Sequence, residues 1–214
     1  MEITAHIPSL THLREHANAR ARGRRGHVQR DRAQVLAPKE GRIFSFVYEK
    51  FISATIAYVE AGCRGGAFAR AIDEASDRMR PSYTACAKGM TQIFAIMRPV
   101  AARRRQRNVV ISSGGVELVS LRLHLVITDE HHRDYAAYVH FPGAPLSDVE
   151  FNLVETSVAL ACAAHEPKAA PLLLLPRTGA IHTIDVAEAT RPERVATLKD
   201  ASLAYRAEWL NPSE

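Results

Sequence analysis

The segment from Val116 to Asp185 constrains the fold more than any other part of the chain. Its pattern predicts strand, turn, strand, helix, strand, turn, strand. From Val119 to Ile127, Val119, Leu121, Leu123, Leu125 and Ile127 fall on one face, and Ser120, Arg122, His124 and Val126 on the other. From Ala136 to Phe141 the alternation sets Ala137, Val139 and Phe141 against Ala136, Tyr138 and His140. The charged stretch Asp129 to Asp134 joins the two strands as a hairpin loop. Ser147 with Glu150 three residues on has the spacing of a capping box, so a helix is expected from there to about Ala164. Leu172 to Leu175 is an uninterrupted apolar run, as in a strand covered on both faces. Arg177-Thr178-Gly179 turns the chain, and Ile181 to Val186 returns as a strand. The fold class is therefore α/β, a mixed sheet of four or more strands with flanking helices.

Helical periodicity governs the preceding residues. Ile43, Phe44, Val47, Phe51, Ile52, Ile56 and Val59 form one apolar stripe, which Gly62, Gly65 and Gly66 stop. Ala67 to Arg80 reads as a second helix, broken by Pro81. Ser82 caps a third, with Tyr83, Ala87, Met90, Ile93, Phe94 and Met97 inward. Arg103, Arg104, Arg105 and Arg107 end that helix-like segment, where a helix dipole favours cations. A polar turn, Ser112 to Gly115, leads into the sheet. Pro192 opens a last helix with Val195, Leu198, Leu203, Tyr205 and Trp209 as its apolar surface.

The first 40 residues differ. Arg14, Arg20, Arg22, Arg24, Arg25, Arg30 and Arg32 crowd them, with poor apolar periodicity and two interrupting glycines. They read as a basic N-terminal arm over 1–40, disordered or helical only on docking, ahead of a single α/β domain over 41–214. The formal charge of +5 suits an anionic partner, DNA or RNA, with Arg22, Arg24, Arg25, Arg103, Arg104 and Arg105 as phosphate contacts. A solvated arm that packs on its own domain or on a protein partner explains the same residues. Three widely spaced cysteines, without CxxC or finger spacing, fit reduced thiols in a cytoplasmic compartment. No apolar run approaches the ~20 residues of a membrane span, so no membrane partner is expected.

The region Val116 to Val186, with Glu40 to Glu60 as a leading helix, resembles the core of the PD-(D/E)XK nuclease superfamily, of αβββαβ type. It is also similar to uncharacterised bacterial proteins that close with an Ala-rich, Trp-containing helix, here AYRAEWL. The resemblance implies an acid on the first hairpin strand and D/E-x-K on the second, binding a divalent metal. Here His124 is nearest the first acidic position, His140 or Tyr138 lies near the second, and no lysine follows on that strand. Glu49 matches an acid of the leading helix. Conventional magnesium-dependent cleavage of DNA or RNA is therefore not expected.

Glu49, His124 and His140 remain the catalytic candidates. Two imidazoles suit zinc, copper or nickel, but local spacing supplies no third ligand, and two histidines hydrogen-bonded on a partly polar sheet face explain the pair better. No cofactor is assigned, with a divalent metal left as the alternative. The chain carries no GxxxxGK[ST], GxGxxG after a strand, GxSxG or HExxH. Three functions follow. The first is a non-catalytic nucleic-acid-binding or assembly protein on a nuclease-like scaffold. The others are a divergent metal-dependent nuclease and a protein-interaction subunit that homo-oligomerises.

Overall fold

The computed structural model describes residues 6–19, 21–37, 47–105 and 108–211. Helices α1 (Leu10–Asn18) and α2 (Ala21–Leu36) come first, then α3 (Glu49–Glu60), α4 (Ala67–Asp73) and α5 (Arg80–Met97). Strands β1 (Pro99–Arg104), β2 (Val109–Ser113), β3 (Val116–Leu121), β4 (Leu125–Asp129) and β5 (Asp134–Val139) follow. The chain ends with α6 (Asp148–His165), β6 (Ala170–Leu175), β7 (Ala180–Thr183), α7 (Val186–Ala189) and α8 (Pro192–Leu210).

The protein is α/β with a mixed five-stranded sheet in the order β1-β4-β5-β6-β7. All neighbours are antiparallel except β5 and β6, which run parallel because α6 carries the chain back between them. Helices cover both faces. Phe51, Met90 and Phe94 of α3 and α5 pack on Leu125, Ile127, Val139, Leu172 and Leu174. Val154, Val158, Tyr205 and Trp209 of α6 and α8 pack on the other side, with Tyr138 and Leu173. Leu172, Leu173 and Leu174 are almost fully buried, as the continuous apolar run requires.

Local chemistry fixes several elements as expected. Ser147 Oγ accepts the Glu150 N–H, and the Glu150 carboxylate accepts the Ser147 N–H at 2.9 Å, so the capping box is formed. Asp129 Oδ1 accepts the N–H groups of His131 and Arg133, both at 2.9 Å, closing the β4–β5 turn. The three cysteines are free. Among the described residues, no helix is long and apolar enough to cross a membrane.

Other expectations are corrected. The strand expected over Val119 to Ile127 is two strands. β3 pairs with β2 in a separate hairpin turned by Gly114 and Gly115 at positive φ, and β4 joins the main sheet. The alternating leucines are thereby divided: Leu121 and Leu123 lie in the core under α6, Leu125 and Ile127 in the core under α3 and α5. Arg103 and Arg104 do not end a helix. Arg98 leaves α5 in the left-handed region at φ 48, and Pro99 starts β1, so the arginines are held by sheet pairing to β4 and not by a helix dipole. Pro81 sits in the first turn of α5, where its missing N–H costs nothing, and the second helix ends earlier, at Asp73. Leu203 is 43% exposed, because the buried stripe of α8 runs Leu198, Ser202, Tyr205, Trp209. Ile43 and Phe44 lie outside the described residues.

The largest difference is in the first 40 residues. α1 and α2 are helices docked on the core, which follows the reading of an arm packed on its own domain and not that of a loose arm. Leu10 and Leu13 are buried with the sheet-side residues of α6, and Val28 of α2 joins them. Ser9 caps α1 through the His12 N–H, and the Ser120 N–H donates to Pro8 O at 2.9 Å. Tyr205 Oη donates to Asp31 at 3.1 Å, and Arg32 to the Trp209 carbonyl at 3.2 Å. Three buried aliphatic side chains and these polar ties suffice, although periodicity along the segment is weak.

Candidate functional site

Folding α1 and α2 over the end of the sheet leaves a cleft of about 730 Å³ between them, the start of α3, and the residues joining β3 to β4 and following β5. Glu49, His124 and His140, far apart in sequence, all line it.

Glu49 opens α3. Its carboxylate is held by two guanidiniums, those of Arg104 and Arg122. Arg104 also donates to the Glu49 carbonyl at 3.0 Å and to Ser53 Oγ at 2.6 Å. Arg122 in turn donates through Nε to the Arg105 carbonyl at 3.2 Å.

His124 lies in the break between β3 and β4. Its backbone N–H donates to the Ala137 carbonyl at 2.8 Å, and its Nδ1 accepts the Val139 N–H at 3.0 Å. Burial first, then the neighbouring Arg122 cation, lowers its pKa to about 3. The ring is neutral at pH 7, and the occupied Nδ1 places its proton on Nε2.

His140 follows β5 and is almost fully buried. Its Nδ1 lies 2.8 Å from Arg14 Nη1, an atom that can only donate. Arg14 Nε is 3.2 Å from Glu150 Oε1. Burial, reinforced by Arg14, lowers the His140 pKa to about 4. This Arg14–His140–Glu150 cluster joins α1, the end of β5 and the first turn of α6.

The three candidates share a cleft without forming a metal site. Among the described residues, no group of three or more His, Cys, Asp or Glu side chains is placed to hold a metal ion. The donors are also committed. The Nδ1 lone pairs of His124 and His140 face N–H donors, and the Glu49 carboxylate faces two cations. A divalent cation would have to displace Arg104 and Arg122 from Glu49, the one acid among them, so these residues do not fit one.

The expected phosphate contacts divide. Arg103 Nη2 and Arg105 Nε both pair with Glu166, at 2.8 and 3.0 Å, and Arg104 pairs with Glu49. On α2, Arg25 is exposed, whereas Arg24 Nε is enclosed by protein; the Arg22 side chain lies outside what the structure describes. Arg14, Arg122 and Glu150 were missed as site residues. Arg14 stood among many arm arginines, Arg122 in a strand pattern, and Glu150 already had a local role as a cap. Only Arg122, two residues before His124 on the polar side of the alternation, carried a signal.

No protein-family model, curated protein or solved structure matches this chain.

Proposed function

We propose that this chain is a non-catalytic nucleic-acid-binding protein whose phosphate-contacting surface is the β1 edge of the sheet. One observation carries this reading. Arg103, Arg104, Arg105 and Arg122 share two carboxylates, Glu166 and Glu49. Two positive charges are left over on one rigid edge, and guanidinium forks match phosphate oxygens. The locked state of Glu49, His124 and His140 supports the non-catalytic part. The order α5, β1, β4, β5, α6, β6, with the β2–β3 hairpin inserted, supports a nuclease-like scaffold in which α5 and β1, not the helix expected over Glu40 to Glu60, lead the core.

Arg103 and Arg105 are the residues to test, because Arg104 also anchors α3. Replacing both by alanine should weaken binding to duplex DNA about equally on unrelated sequences. It should also reduce the salt slope by about 0.9 for each phosphate that is no longer neutralised. Unchanged affinity and slope would remove the reading. A second reading, self-association, is favoured by Ile96 and Val100, 72% and 53% exposed at the end of α5 and the start of the outermost strand β1. Sedimentation of Val100→Lys would reveal it as a loss of dimer.

A further inference from the structure

We infer that the cleft beside His124 is a pocket for a phosphomonoester, the terminal phosphate of a nucleic-acid strand or that of a free nucleotide. This deepens the nucleic-acid reading, on which only the strand-end form of the ligand rests. The cleft has the volume of a small-ligand site.

Its three carboxylates are all engaged. Glu49 is held by Arg104 and Arg122, Asp31 by Tyr205 and His12, and Glu15 lies 3.8 Å from Arg14. Its donors are less committed. Because the Val139 N–H occupies Nδ1 of His124, Nε2 carries the proton and has no partner among the described residues. Arg122 uses Nη1 for Glu49 and Nε for the Arg105 carbonyl, and its Nη2 has none among those residues. Arg30 on α2 is exposed and bonds only His27 among the described residues, through Nη2 at 2.9 Å.

These three donors stand on two segments around one cavity, Arg122 and His124 in the break between β3 and β4 and Arg30 on α2. A phosphomonoester presents three terminal oxygens to such an array, whereas a carboxylate presents two. A neutral imidazole N–H adds a donor without a hydration shell to strip from a cation. The strand-end form follows from continuity. The Arg105 N–H donates to the His124 carbonyl at 3.3 Å and the Arg105 carbonyl accepts from Arg122, so the arginine edge of β1 runs into the cleft wall.

The test uses the full chain and four probes: adenosine monophosphate, succinate, a 5′-phosphorylated duplex and its 5′-hydroxyl twin. Adenosine monophosphate should bind and succinate should not. The phosphorylated duplex should bind about tenfold or more tightly than the hydroxyl one, as one added charge-assisted site allows. Arg30→Ala and His124→Phe should each erase most of that preference. Arg30 is exposed, so its variant decides the matter if His124→Phe fails to fold. Binding of adenosine monophosphate with no duplex binding keeps the pocket and removes the nucleic-acid reading. Equal binding of both duplexes with no binding of adenosine monophosphate removes the pocket and keeps that reading. Equal binding of succinate, or an unchanged preference in Arg30→Ala, also overturns the pocket.

Discussion

Val139 donates its backbone N–H to Nδ1 of His124 over 3.0 Å, across the β4–β5 pair. A side chain that stood as a ligand candidate in sequence is thereby fixed in one tautomer by the strand opposite. Its Nδ1 is closed to metals and its Nε2–H is directed by the backbone, not by the pH of the medium.

Burial, reinforced by a neighbouring arginine in each case, sets a pH dependence for His124 and His140. His124 and His140 have folded pKa values of about 3 and about 4, below the unfolded value near 6.5. Between those limits the unfolded chain binds more protons than the folded one. The stability that these groups contribute is therefore complete above about pH 6.5 and is lost as pH falls toward 3. His6 and His16, also lowered by burial, act in the same direction. Thermal unfolding should show a lower Tm at pH 5 than at pH 7.5, and a smaller drop in His140→Gln. A Tm that rises on acidification would contradict this assignment.

Glu49→Gln should cost about 1.5–3 kcal/mol, because two guanidiniums lose their shared anion in a partly buried setting. Urea midpoints measure the cost. A hydrolase acid would behave differently, with stability retained and a metal-dependent activity lost.

Arg14→Ala should be more damaging, by about 3–5 kcal/mol, since it leaves the buried Glu150 carboxylate without its cation. The loss should be local first. Trypsin should cut the variant within residues 21–36, while the parent chain resists there because α1 and α2 are docked. Equal cleavage of both would mean that the cluster does not hold these helices.

Gly89→Ala tests the packing of α5 on the β6–β7 turn. A Cβ at Gly89 would stand 1.7 Å from the Pro176 carbonyl oxygen, a backbone atom that cannot rotate away. The variant should lose on the order of 3 kcal/mol, with a matching fall in the denaturation midpoint. Gly26→Ala, with open space around it, should be neutral or slightly stabilising.

What the sequence determined about this protein is what short-range chemistry encodes. The Ser147–Glu150 box starts α6 because both partners lie within one turn. The Leu172 to Leu174 run becomes a strand covered on both faces because nothing polar interrupts it. The stripe Tyr83, Ala87, Met90, Ile93, Phe94 becomes the inner face of α5 because its spacing matches the helical repeat. Tertiary structure decided the rest. Alternation from Val119 to Ile127 looks the same in one strand or two, and only the two separate cores divide it between Leu123 and Leu125. The docking of α1 and α2 depends on a few apolar residues and on partners 126 to 192 positions away, such as Arg14 with His140 and His16 with Glu208. The candidate site followed the same division. His124, His140 and Glu49 could be picked out by residue type, but their chemistry was set by what faces them. Those neighbours, Val139 N–H, Arg14, Arg104 and Arg122, come from other elements, and contacts of that kind leave no periodic trace in a sequence.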